Sequence, residues 1–139
     1  MVYHLKLYAA TLVGFLVIDF VWLAFVARGF YRRHLDFLLA DQPNWWAAMA
    51  FYPLFVAGLV VFSIVPGLKA DSLKQAILLG GFFGLVAYAT YDLTNHATVK
   101  NWPWIVTIVD LCWGLVLSAS VSSIVEPVIM NANARLRLS

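Results

Sequence analysis

The stretch LKLYAATLVGFLVIDFVWLAFVA, residues 5–27, decides what kind of chain this is. It is apolar nearly throughout and about as long as the roughly 20 residues an α-helix needs to cross about 30 Å of hydrocarbon. It stops at Arg28, whose side chain can snorkel into a headgroup layer. A signal-peptide core is shorter and precedes a small-residue cleavage site, so this helix is expected to stay in the mature protein. Composition agrees, with 63% of residues hydrophobic and only 12% charged, far from the balance of water-soluble domains.

Three more stretches repeat the pattern. Residues 45–65, WWAAMAFYPLFVAGLVVFSIV, open on two tryptophans suited to an interfacial belt and carry Pro53, which should kink the helix or free a carbonyl. Residues 72–95 start where Asp71 or Ser72 can cap a helix. Residues 102–125 start with Trp102 as an interface anchor and Pro103 in a first turn, and a polar tail follows over 127–139. The expected fold is an all-α integral membrane protein, a single membrane domain over 1–139 built as a four-transmembrane-helix bundle. Loop one is the long connection. Its sequence RGFYRRHLDFLLADQPN, residues 28–44, mixes Arg28, Arg32 and Arg33 with Phe30, Tyr31, Leu35, Phe37 and Leu38. That pattern fits a short interfacial amphipathic helix, and equally a positive loop with apolar contacts.

Charge excludes some functions and leaves orientation balanced. Lys6, Lys69, Lys74, Arg135 and Arg137 fall on the side of the termini, against Arg28, Arg32, Arg33 and Lys100 opposite. The basic tail tilts this balance toward cytoplasmic termini. A net charge of +2 without an extended basic face argues against a nucleic-acid partner. Cys112 is the lone cysteine and is read as a packing residue. No phosphate-binding glycine loop, helical histidine pair or serine elbow is present, so neither cofactor nor metal is expected.

The informative residues are polar groups inside apolar helices. Asp19 lies nine residues before Arg28, about 13 Å along a helix. Asp110 lies eight residues after Trp102, about 12 Å along. Asp92 sits in the expected last turn of the third helix, where the macrodipole disfavours a carboxylate unless Asn95, His96 or Lys100 compensates. Antiparallel topology puts all three acids in the membrane half of loops one and three. A carboxylate facing lipid costs several kcal/mol, so each should face the bundle interior or a wet cavity, or carry a proton. Spacings of three, four, seven or eight place Gly84, Tyr88, Tyr91, Asp92 and Asn95 on one stripe, and Thr107, Asp110, Gly114, Ser118 and Ser122 on another. A D-x-x-W pattern occurs twice, as Asp19 with Trp22 and as Asp110 with Trp113. Those tryptophans, Tyr52 and Tyr88 read as packing residues or hydrogen-bond partners of the acids more readily than as a ligand cage. The small-residue spacings are by themselves a packing device, and the Gly80 to Gly84 face could serve a homodimer seam. Glu126 and His4 are expected near the opposite interface, facing headgroups.

The run YDLTNHATVKNWP at 91–103, with VAYA before it, TIVDLCWG after it, IDFVWL in the first helix and FYPLFVAGLVVF in the second, resembles a family of small bacterial predicted inner-membrane proteins, Domain of Unknown Function 2177. Tyr91, Asp92, Leu93, Thr94, Asn95, Ala97, Thr98, Lys100, Trp102 and Pro103 match the family's segment YDLTN-x-AT-x-K-x-WP, whereas His96 stands where the family is more often apolar. The resemblance implies a multi-pass protein of the bacterial inner membrane, surrounded by lipid, and supplies no reaction. Three functions stay open on the residues: proton- or cation-linked binding or transport of a small or amphiphilic ligand, intramembrane catalysis on a lipid or isoprenoid-like substrate, and a non-catalytic lipid-binding or partner-stabilising role.

Overall fold

A computed structural model describes the backbone of residues 2–138 and the side chains of residues 3–131, so Arg135 and Arg137 of the basic tail lie outside the described side chains. Helix α1 joins Val2–Trp22, a π turn at Leu23–Ala27 and Arg28–Leu35. Helix α2 joins Trp45–Leu59, a π turn at Val60–Ile64 and Val65–Ala70. Helix α3 is Leu73–Thr98 and α4 is Trp104–Leu138. The stretches Tyr3–Leu35, Trp45–Ala70, Leu73–Thr98 and Trp104–Asn131 are each long and apolar enough to cross a membrane.

Burial has the sense expected of a bundle in lipid. Phe25 is 84% exposed and Leu54 74%, while Thr11, Asp19, Ser63, Asp92, Asp110, Ser118 and Ser122 are buried. Hydrocarbon solvates the outer face, so the polar groups must find one another inside. Cys112 lies on the exposed face rather than in the packed interior.

Each helix runs on past the C-terminal end of the apolar stretch that marks it in the sequence. The first does not stop at Arg28. Residues 28–35 are helical and amphipathic, as one reading of loop one required, but they continue α1 through the π turn instead of forming a separate surface element. The second does not close at Pro66. A proline ring crowds the carbonyl four residues back, here Phe62, and the π turn over Val60–Ile64 spreads the backbone at that point, with the Val65 amide bonded to the Val60 carbonyl. The helix then runs to Ala70 and ends at Asp71, whose φ of 50° is left-handed. Ser72 is the cap of α3, accepting from the Gln75 amide at 3.2 Å. Because α3 reaches Thr98, Asp92 stands above the final turn, and the macrodipole bears on it less than the sequence implied. The polar tail begins as helix, since α4 runs through Pro127.

Helices α3 and α4 form the tightest pair, and glycine is the cause. Gly80, Gly81 and Gly84 face Leu115, Ala119, Ser118 and Ser122 of α4, while Gly114 lies under the Tyr88 ring. The glycine face suited to a dimer seam is therefore taken up within the chain. Helix α1 packs on α4 across a core containing Leu7, Phe15, Leu59, Leu117 and Val121. Helix α2 behaves differently along its length. Its second part packs closely along α3, whereas Trp45–Leu59 packs more on α1 than on α3.

Candidate ligand-binding site

Two of the three acids meet in one pocket. Between the end of α1, the first part of α2, α3 and α4 lies a cavity of about 430 Å³, within the range of small-ligand sites. Asp92, Asp110, Tyr31, Tyr88 and Tyr91 supply its polar lining, and Leu35, Leu39, Phe51, Phe55 and Ala87 its apolar wall. Asp110 accepts a short hydrogen bond from the Tyr31 hydroxyl. Asp92 is fully buried and neither of its oxygens has a hydrogen-bond donor. The carboxyls of Asp92 and Asp110 line the same pocket from adjacent helices, one on α3 and one on α4. Among the described residues, no third acid, histidine or cysteine joins this pair in a cluster with metal-ligand geometry.

Asp19 is built differently. It accepts from the Tyr52 hydroxyl at 3.1 Å and from Trp113 Nε1 at 3.4 Å, which satisfies its carboxylate without opening it to the pocket. The two D-x-x-W elements do meet. Trp22 stacks on Trp113 with ring centroids 4.4 Å apart and planes 11° from parallel, which fixes α1 against α4 beside Asp19. Tyr88 lines the pocket beside Asp92 and Asp110 and packs edge-on against Phe55, with ring centroids 6.3 Å apart.

Some expected members lie elsewhere. Thr107 shares a stripe with Asp110, but its hydroxyl accepts from Trp102 Nε1 at 3.0 Å and pairs with His96 Nδ1 at 3.2 Å. This locks the α3–α4 connection and buries Trp102, so Trp102 is a core residue and not an exposed interface anchor. Asn95 is half-buried and does not line the pocket. Glu126, expected to face headgroups, is 1% exposed, with Oε1 unpartnered. Replacing Thr107 with Val should leave the buried Trp102 N–H without an acceptor and lower stability by about 1–3 kcal/mol. Unfolding followed in detergent would show this, and ligand retention by the pocket should be unchanged.

Tyr31 is the pocket residue that sequence periodicity overlooks. In a regular helix it would point about 120° away from Asp19, being twelve residues on at about 100° per residue. The π turn at Leu23–Ala27 takes up one extra residue and brings Tyr31 to within about 20° of the Asp19 face, over Asp110. LAFVA contains no glycine or proline to mark that turn.

Comparison with known proteins agrees with this architecture. Neither a curated protein nor a solved structure matches the chain. The family described as "Predicted membrane protein (DUF2177)" matches over residues 4–126, a stretch that includes all three acids and both D-x-x-W elements. This multi-helix chain therefore belongs to the DUF2177 family of predicted membrane proteins.

Proposed function

We propose that this protein binds an amphiphilic molecule in the pocket between its helices, and that the Asp92–Asp110 pair links the binding to a proton or a small cation, as in a carrier. The observation that carries this reading is Asp92: fully buried, without a donor on either oxygen, and lining a cavity with room for a ligand. An unpaired buried carboxyl is costly, and inside an apolar bundle such a group is a functional candidate by default. Asp19 is the contrast, since its two donors make it self-sufficient. A lining that combines phenols and carboxyls with Leu35, Leu39, Phe51 and Phe55 suits a molecule with a polar head and an apolar body.

The test compares the three acids. Full-length protein is extracted, its bound small molecules are identified by mass spectrometry, and proton uptake is followed in proteoliposomes with a pH-sensitive dye. Asp92→Asn and Asp110→Asn should lose the bound amphiphile and the proton signal. Asp19→Asn should keep both and lose stability. Equal behaviour of all three variants would remove the assignment. A bound molecule that emerges covalently altered would transfer the same two carboxyls to acid–base catalysis on a lipid.

A further inference from the structure

Resting on that reading of the pocket, we infer that its ligand is a lipid-like amine, which enters sideways from the bilayer through the cleft between the first part of α2 and α3, with its ammonium group held by Asp92 and Asp110. The route follows from packing. Below Leu59 the chain of α2 lies close along α3, but Trp45–Leu59 diverges from it. What bridges the divergence is a floor of rings, with Phe55 lying 5.1 Å from Phe83 and 6.3 Å from Tyr88 between centroids. Above that floor the pocket walls are Phe51 on α2 and Tyr91 on α3, which are 47% and 60% exposed on the outer surface of the bundle. A wedge that opens between two membrane-crossing helices faces acyl chains, not water.

The head chemistry follows from the polar part of the lining. Among the described residues it presents two carboxyls and phenols, and no lysine, arginine or histidine. A phosphate or carboxylate would meet like charge there with no counter-ion, and a buried like-charge contact costs several kcal/mol. An ammonium supplies what the site lacks, namely donors for the two orphaned Asp92 oxygens and a charge opposite to the pair. The Tyr31 hydroxyl is already committed to Asp110, and neither the Tyr88 nor the Tyr91 hydroxyl donates to Asp92. A soluble amine would satisfy the acids but leave Leu35, Leu39, Phe51 and Phe55 uncovered, and burial of that apolar wall favours a long-chain amine over a short one.

The probes are hexadecylamine, hexadecanol and hexadecyl sulfate, each doped into uncharged dodecyl maltoside micelles that hold the full-length protein, with butylamine as the soluble competitor. Native mass spectrometry should find hexadecylamine retained at least tenfold more than the alcohol or the sulfate. Asp92→Asn should reduce that retention at least tenfold, and butylamine should not displace the long-chain amine at equal concentration. In a Cys112→Ser background, Ala48→Cys with Thr94→Cys, each one turn from Phe51 and Tyr91 and outside the pocket lining, should bind hexadecylamine before cross-linking and exclude it once a short bis-maleimide bridges the cleft. Equal retention of the alcohol or the sulfate would overturn the ammonium assignment while leaving amphiphile binding in place. Displacement by butylamine, or unhindered uptake by the bridged protein, would overturn the lateral route. Retention of none of the probes, with no amphiphile bound in the protein as extracted, would overturn the binding reading itself.

Discussion

Asp92→Leu is expected to raise the stability of the protein while abolishing ligand binding. Most substitutions at a fully buried position destabilise, through a cavity or a lost partner. At Asp92 neither loss arises. Its side chain is 0% exposed and its two oxygens accept no hydrogen bond, so the fold bears a desolvation cost with no local return. Replacing buried ionic groups with apolar residues of similar volume is often neutral or stabilising, by about 1–4 kcal/mol. The small excess volume of leucine can extend into the adjoining cavity. Asp19→Leu should behave oppositely. It strands the Tyr52 hydroxyl and the Trp113 N–H, and a buried donor left without its acceptor costs about 1–3 kcal/mol. The measurement is the unfolding midpoint of both variants in the same detergent, alongside retention of the bound amphiphile. If Asp92→Leu lost as much stability as Asp19→Leu, Asp92 would be part of the scaffold and the pocket would lose its principal acid. The predicted pattern separates a residue kept for ligand from one kept for the fold, although the two look alike in sequence.

That likeness marks the limit of what the sequence conveys. Four apolar stretches, each about a membrane thick, already determine the helix count, and antiparallel succession places Asp19, Asp92 and Asp110 in one half of the bundle. Burial of all three acids follows from the cost of exposing them to lipid. The two D-x-x-W elements are visible as a repeat, and their tryptophans stack. What periodicity cannot supply is which acid finds a donor, because donors arrive from other helices. Tyr52 and Trp113 reach Asp19 from 33 and 94 residues away. Tyr31 reaches Asp110 across 79 residues, and only after the unmarked π turn has rotated it into place. Thr107 shows the converse. Its spacing from Asp110 is right for a shared face, yet α4 starts at Trp104, so Thr107 lies in the opening turns where Trp102 and His96 capture its hydroxyl. Helix ends are hard to read in the sequence for a related reason. Arginines and prolines look like stops, but Arg28 continues a helix that outlasts the apolar run, and Pro66 is accommodated by a local widening.

Gly84→Ala should be the most damaging of the smallest substitutions in this chain. A Cβ built on Gly84 would overlap the Gly114 carbonyl group of α4, coming within 2.7 Å of its carbon, and would also strike the Ser118 hydroxyl. The obstruction is backbone, which cannot rotate away as a flexible side chain can, so α3 and α4 must separate or shift along each other. The same contact seen from the other side leaves no alternative, because a Cβ on Gly114 would lie 2.7 Å from the Gly84 carbonyl oxygen and 2.5 Å from Tyr88 Cδ2. Overpacking of this kind costs about 1–3 kcal/mol and more where the surroundings are rigid, and here it acts on the closest helix pair in the bundle. Its effect should reach the site. Tyr88 and Asp92 follow Gly84 at successive helical turns, and Asp110 precedes Gly114 by one, so a displaced crossing separates the two pocket carboxyls. Gly81→Ala supplies the control. Its Cβ would meet Ala119 Cβ at an ordinary 3.5 Å, and alanine gains about 1 kcal/mol over glycine in a helix interior. Gly81→Ala should therefore fold as well as or better than the parent and keep its ligand, whereas Gly84→Ala should lower the unfolding midpoint and lose it. Equal stability in the two variants would mean that α3 and α4 do not cross at Gly84 and Gly114, and the shared pocket of Asp92 and Asp110, which depends on that crossing, would fall with it.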